Sequence, residues 1–208
     1  MQENTQEVKK EITEKDAEKN ILIVTAHPAS SGFTHKIAVA YKQGAELKGY
    51  KVEILDLYKA KRQAFFDFEY KDKIVCDREC ETRKEMQDKI MLADELVFVS
   101  PMWWGTVPAI MKNWIDMNFT SHFSHKYVDG KLVKMLHEKA GRVYMTSDAP
   151  AYTYLLVLNP YAKIFAFNLF WFVGMKNNGI KLYGNFRKRT EEEKCKFLEM
   201  VRDNVSEL

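Results

Sequence analysis

The residues of this chain best suited to chemistry form the run Ser100-Pro-Met-Trp-Trp-Gly-Thr-Val-Pro108, which follows the apolar stretch Leu96-Val-Phe-Val99. Two adjacent indoles and a glycine between two prolines make an expensive loop unless something flat covers it. Pro101, Met102, Trp103, Trp104 and Gly105 offer an apolar wall, stacking surface and backbone N–H donors, which is what an isoalloxazine ring needs. The plainer reading, an indole plugging the core, fits one of the two tryptophans more easily than both.

A second polar loop precedes it in sequence. His27-Pro-Ala-Ser-Ser-Gly-Phe-Thr34 follows an apolar strand and opens a helix, so Ser31, Thr34 and the first helical N–H groups suit a phosphate. His27 adds a hydrogen bond or a charge, although an ordinary capped turn has the same residue types. Neither Gly-x-Gly-x-x-Gly nor Gly-Lys-[Ser/Thr] occurs, which disfavours the usual dinucleotide and Walker sites. A third loop, Thr146-Ser-Asp-Ala-Pro-Ala-Tyr-Thr-Tyr154, supplies hydroxyls, the Asp148 carboxylate and the phenols of Tyr152 and Tyr154, with Thr146, Ser147 and Asp148 the candidate cofactor contacts. His122 and His125 have a spacing that suggests a metal, but no acid or cysteine cluster accompanies them. They read as surface histidines near the mouth of the site, with no metal.

Three loops can share a site only if the intervening elements bring them to one edge. Ile21–Ala26, Val52–Leu57, Leu96–Val99, Arg142–Thr146 and Gly179–Tyr183 read as strands, the first without a polar face, as in a buried parallel sheet. Helical spacing starts at Thr34 and stops near Gly49. It resumes behind the expected capping boxes Thr82/Glu85 and Thr190/Glu193, and begins at Pro108 with Ile110, Met111, Trp114 and Ile115 on one face. Lys112 and Asp116 lie on the opposite face. Ile164–Met175 is the remaining helix, and the last helix carries the stripe Cys195, Leu198, Val201, Val205. This alternation predicts an α/β fold, a doubly wound five-stranded parallel sheet with helices on both faces. Ligands then bind beyond the strands' carboxyl ends, over residues 27–34, 101–107 and 146–154.

Bulk properties are consistent with one domain over 21–208 preceded by a charged, flexible extension over 1–20. A net charge of +3 with mixed signs gives no nucleic-acid footprint. The apolar run Ile164–Met175 is too short for a membrane span, which needs roughly 20 residues. Three cysteines without a Cys-x-x-Cys spacing read as reduced thiols of a cytoplasmic protein, with Cys195 in the core.

Ile21–Thr34, Asp56-Leu57-Tyr58, Pro101–Phe119 and the stretch from Thr146 together resemble the NAD(P)H:quinone oxidoreductases of flavodoxin-like fold. That family includes the DT-diaphorases and small bacterial NAD(P)H oxidoreductases, among them ancillary subunits of potassium efflux systems. The resemblance covers about residues 20–185. Its most specific part is Pro101-Met-Trp-Trp-Gly-Thr-Val-Pro-Ala-Ile-Met-Lys-Asn-Trp-Ile-Asp116.

The resemblance implies a strand order of 2-1-3-4-5. It also implies flavin contacts at His27, Ser31, Phe33 and Thr34 for the phosphate and ribityl chain, at Pro101–Gly105 along the ring, and at Thr146 and Ser147 beyond it. Tyr154 falls near the family's catalytic tyrosine, with Tyr152 the neighbouring choice. The diaphorases carry Thr-Thr-Gly-Gly where this chain has Thr146-Ser147-Asp148-Ala149-Pro150, which changes charge and backbone freedom beside the ring. Their histidine a few residues beyond the tyrosine is absent, Asn159-Pro160 occupying that region.

The expected activity is hydride transfer from NAD(P)H through FMN, with FAD the alternative, to a quinone or similar flat acceptor in two half-reactions. The expected assembly is a homodimer without nucleic acid. The rival readings are a flavodoxin-like electron carrier and a flavin-binding regulatory subunit associated peripherally with a membrane transporter.

Overall fold

The computed structural model describes residues 19–60, 81–153 and 168–205. The expectations for the extension over 1–20, the aromatic connector Phe65–Tyr70, Cys76, Cys80, Tyr154 and the first four residues of Ile164–Met175 fall wholly or largely outside those residues. Seven strands are described: β1 (Asn20–Thr25), β2 (Lys51–Asp56), β3 (Glu95–Pro101), β4 (His125–Val128), β5 (Lys131–Lys134), β6 (Ala140–Thr146) and β7 (Lys176–Tyr183). The longer helices are α1 (Phe33–Leu47), α2 (Glu81–Leu92), α3 (Ala109–Asn118) and α4 (Glu191–Asp203).

Every residue of β3 and β6 is buried, and all of β1 after Asn20, so these unbroken apolar runs occupy the middle of the sheet. The observed parallel order is β2-β1-β3-β6-β7. It departs from the expected numbering because an antiparallel hairpin, β4-β5, is inserted after the third sheet strand. The four-residue hairpin strands mix exposed and half-buried residues, and they lack the apolar run that marks a core strand.

Alternation along the strands divides the core in two. Ile21, Ile23, Val97, Val99 and Tyr144 meet Ile37, Tyr41 and Ala45 of α1 and Val201 near the end of α4. Leu22, Val24, Leu96, Phe98, Val143 and Met145 meet Met86 and Ile90 of α2, Met111 and Trp114 of α3, and Phe170. Helices therefore cover both faces.

The α1–α4 contact is close because Gly44 has no side chain: a Cβ there would lie 1.9 Å from the Arg202 carbonyl oxygen. The Thr190/Glu193 capping box closes in both directions at the start of α4, and Lys112–Asp116 pairs at 2.7 Å on α3. Gly49, with φ +82°, follows the end of α1.

Two local expectations are corrected. Helix α2 already includes Glu81, which puts Thr82 within the helix rather than at a cap. Cys195 is exposed: it lies about 120° around α4 from Val201, outside the stripe that Leu198, Val201 and the following Val205 turn inward. No helix among the described residues is long and apolar enough to cross a membrane.

Candidate active site

Strand register fixes the site. Pro101 pairs with Thr146, and Thr146 with Tyr183, so β3, β6 and β7 end together. The Met102 N–H donates to the Thr146 carbonyl at 2.7 Å, and the Ser147 N–H to the Tyr183 carbonyl at 3.0 Å, extending this edge into the loops. A cavity of about 370 Å³ opens there. Its walls are His27, Gly32, Phe33 and Thr34 on one side, Pro101, Met102 and Trp103 on another, and Thr146, Ser147, Asp148, Phe186 and Arg187 on the third. Nine of the twelve site residues inferred for cofactor binding line it.

The first wall is built for an anion. Gly32 is the N-cap of α1 and has no side chain with which to cap it. The first bond back to its carbonyl comes from His35, so the N–H groups of Phe33 and Thr34 find no acceptor among the described residues. The helix dipole adds partial positive charge at that point. His27 is oriented by the Ala29 N–H, which donates to Nδ1 at 3.0 Å. Nδ1 also lies 3.2 Å from the Ala29 carbonyl oxygen, so Ala29 engages Nδ1 in either tautomer and Nε2 has no partner among the described residues. A Cβ on Gly32 would lie 3.1 Å from the Ala29 oxygen and 3.2 Å from His27 Nδ1, so the cradle is tight where glycine stands.

The second wall explains the tandem indoles. Trp103 and Thr106 exchange backbone hydrogen bonds at 2.9 and 3.0 Å, closing a two-residue turn with Trp104 and Gly105 at its tip. Their φ values of +52° and +78° are both left-handed, as in a type I′ turn. For a bulky residue such as Trp104 this conformation is strained, and such strain persists only where the surrounding structure imposes it. Neither indole plugs the core: Trp103 is 42% exposed and Trp104 fully so. The amides of Met102 and Trp103 are committed to the fold. Within Pro101–Gly105 the N–H groups of Trp104 and Gly105 have no acceptor among the described residues, which moves the free donors from the start of the loop to its tip.

On the third wall, the Ser147 hydroxyl donates to the Ala149 carbonyl at 2.8 Å and retains lone pairs for a ligand donor. Asp148 Oδ2 and Arg187 Nε form an ion pair at 3.0 Å. Phe186 and Arg187, which the sequence did not single out, belong to a 3₁₀ turn, Phe186–Lys188. This turn is tied to the site by the Phe186 N–H donating to the Ser147 carbonyl at 2.9 Å, and by the Phe186 ring lying 5.1 Å from that of Phe33.

Four inferred residues lie elsewhere. Ser31 lines a groove between α1 and α4, Trp104 and Gly105 stand at the turn tip outside the cavity wall, and Tyr152 is 65% exposed on the helical turn Ala151–Thr153. His125 packs its ring 4.7 Å from Phe172, and Ser124 Oγ lies 3.0 Å from its Nδ1. Burial, and secondarily the neighbouring His122, hold its pKa below the usual histidine value. No group of acidic, histidine or cysteine side chains arranged for a metal occurs among the described residues.

A parallel sheet in this order, with an uncapped helix start and aromatic turn at its carboxyl edge, defines the flavodoxin-like class of α/β proteins. The family model described as a flavodoxin-like fold matches residues 19–202, and the chain belongs to that family. An uncharacterized NAD(P)H oxidoreductase of Haemophilus influenzae is 26% identical over 185 residues, covering 88% of this chain and 92% of its own. An FMN-dependent NADH:quinone oxidoreductase of Bacillus pumilus is 27% identical over 142 residues, covering 57% and 64%. Several other curated relatives are matched over about half their length. The crystal structure of Smu.1420 from Streptococcus mutans superposes with a TM-score of 0.81 at 25% identity, covering 89% of this chain and all of that one.

Proposed function

We propose that this chain is an FMN-dependent NAD(P)H oxidoreductase acting on quinones or similar flat acceptors, with residues 21–208 as its flavin-binding domain. The observation that carries the reading is the convergence, in one cavity, of an uncapped helix start, a hydroxyl-rich strand edge and an indole wall. The names of the Haemophilus and Bacillus relatives agree with it.

The donor set fits the cofactor. The amides of Phe33 and Thr34, the Thr34 hydroxyl and His27 Nε2 would hold the phosphate. Pro101, Met102 and Trp103 would press on the ring system, with Trp104 and Gly105 offering amides at the loop tip. Thr146 and Ser147 would meet the polar edge opposite. Bound FMN supplies the two-electron chemistry, accepting hydride from NAD(P)H and reducing the acceptor in a second half-reaction. The protein positions both partners against one apolar face and limits water there. Tyr152, exposed beside this mouth, and Tyr154 are the phenols proposed to polarise the acceptor oxygen. A second copy of the chain is proposed to cover Trp104, Tyr152 and Trp171, which are large and exposed.

The test is a visible spectrum of the purified protein with mass spectrometry of the released chromophore, which separates FMN from FAD. Oxidation of NADH and NADPH is then followed with menadione as acceptor. A flavin spectrum and turnover with menadione are expected. A colourless protein that binds neither FMN nor FAD in a titration overturns the reading.

A further inference from the structure

Asp148 and Arg187 are the acidic and basic side chains on the described cavity wall, and His27 stands with them. The two are 39 positions apart and meet because β6 and β7 end in register and the 3₁₀ turn folds back onto Ser147. Their contact is a single one, Nε to Oδ2, and both side chains are largely exposed, at 82% for Arg187 and 55% for Asp148. Such pairs are weak and exchange partners readily. A guanidinium carries five N–H donors in a planar fork, so an arriving phosphate can replace a singly bound carboxylate with a bidentate contact. The neighbouring helix start of α1 favours the same sign of ligand.

We propose that Arg187 is a specificity-determining residue of this site that recognises the phosphate of a bound nucleotide, and that Asp148 is its resting counter-ion and the competitor for it. The ligand's identity as a nucleotide rests on the flavin reading above. With the site empty the two charges cancel. With a phosphate present, the guanidinium turns to it and Asp148 is released to solvent. Asp148 thus lowers affinity for anionic ligands and Arg187 raises it, whereas a ligand lacking phosphate is indifferent to both.

The phosphate has two sources, the flavin and the nicotinamide nucleotide, and the experiment separates them. Dissociation constants for FMN and riboflavin, and KM for NADPH and NADH, are measured in the full chain, in Arg187→Gln and in Asp148→Asn. Arg187→Gln is expected to weaken one phosphate-bearing member of the set about fivefold, read as FMN against riboflavin for the flavin phosphate, as NADPH against NADH for the 2′-phosphate, or as a rise in both nucleotide KM values for the pyrophosphate they share. Asp148→Asn is expected to tighten the same member, and 0.5 M NaCl to shrink both effects.

A flavin-free measurement accompanies these. Inorganic pyrophosphate is expected to raise the Tm of the apo-protein and not that of Arg187→Gln. If neither ratio changes and neither nucleotide KM rises in Arg187→Gln, and pyrophosphate stabilises the variant as well as the parent, the proposal is overturned. If the parent binds no flavin yet loses its pyrophosphate response on Arg187→Gln, the anion role stands and the flavin reading alone fails.

Discussion

Gly105→Ala separates the strain in the indole turn from the stability of the fold. Gly105 has φ +78° at the second tip position, next to Trp104 at +52°. A left-handed alanine costs about 1–2 kcal/mol. Roughly 0.4–1 kcal/mol returns because alanine narrows the unfolded ensemble. The net loss is therefore about 0–1.6 kcal/mol, centred near 1. For a domain of this size, 1 kcal/mol moves Tm by about 2–4 °C.

Gly49→Ala is the matched control. Its φ is +82°, nothing lies within 4 Å of a Cβ placed there, and it sits beyond the end of α1, away from the cavity. Both variants should lose similar stability by thermal denaturation followed in the far ultraviolet. Only Gly105→Ala should also weaken FMN, because easing its strain reopens the 103–106 turn and displaces Trp103. An affinity loss of about three- to tenfold is expected, from ~1 kcal/mol redirected into the site. Equal FMN affinity in the two variants, or a Gly105→Ala protein as stable as its parent whose control is destabilised, would refute the reasoning.

Two further outcomes follow from the opposite end of the sheet and from the hairpin. Glu95 is fully buried and accepts hydrogen bonds from Tyr41 at 2.5 Å and Asn178 at 2.9 Å, with Arg142 Nε at 3.4 Å. Glu95→Gln removes the buried carboxylate charge facing the Arg142 guanidinium and is expected to cost about 3–5 kcal/mol in urea unfolding. The Glu95→Gln/Arg142→Met double variant should lose less than the sum of the two single changes. The depressed pKa of His125 means that the folded state binds its proton less readily than the unfolded chain does. Its contribution is therefore present above the unfolded value near pH 6.5 and lost as pH falls. His125→Phe, which keeps the ring against Phe172, should flatten the fall in Tm between pH 7.5 and 5.5, as differential scanning fluorimetry would record.

What the sequence determined by itself is local in origin. The buried runs Ile21–Thr25, Leu96–Val99 and Arg142–Thr146, the Thr190/Glu193 box, the Lys112–Asp116 pair and the stop at Gly49 rest on neighbours within one strand or one helical turn. So does the expectation that the loops after the central strands share an edge, because a doubly wound parallel sheet sends them there.

Only tertiary structure decided the rest. The β4-β5 hairpin has no apolar run to announce it, and Cys195 needed the rotation of α4 about its axis before its exposure was settled. The commitment of the Met102 and Trp103 amides, and the meeting of Arg187 with Asp148, depend on strand register and on a turn closing far along the chain. Propensity and hydrophobicity act between near neighbours. The distance between two remote side chains is set by how whole elements pack.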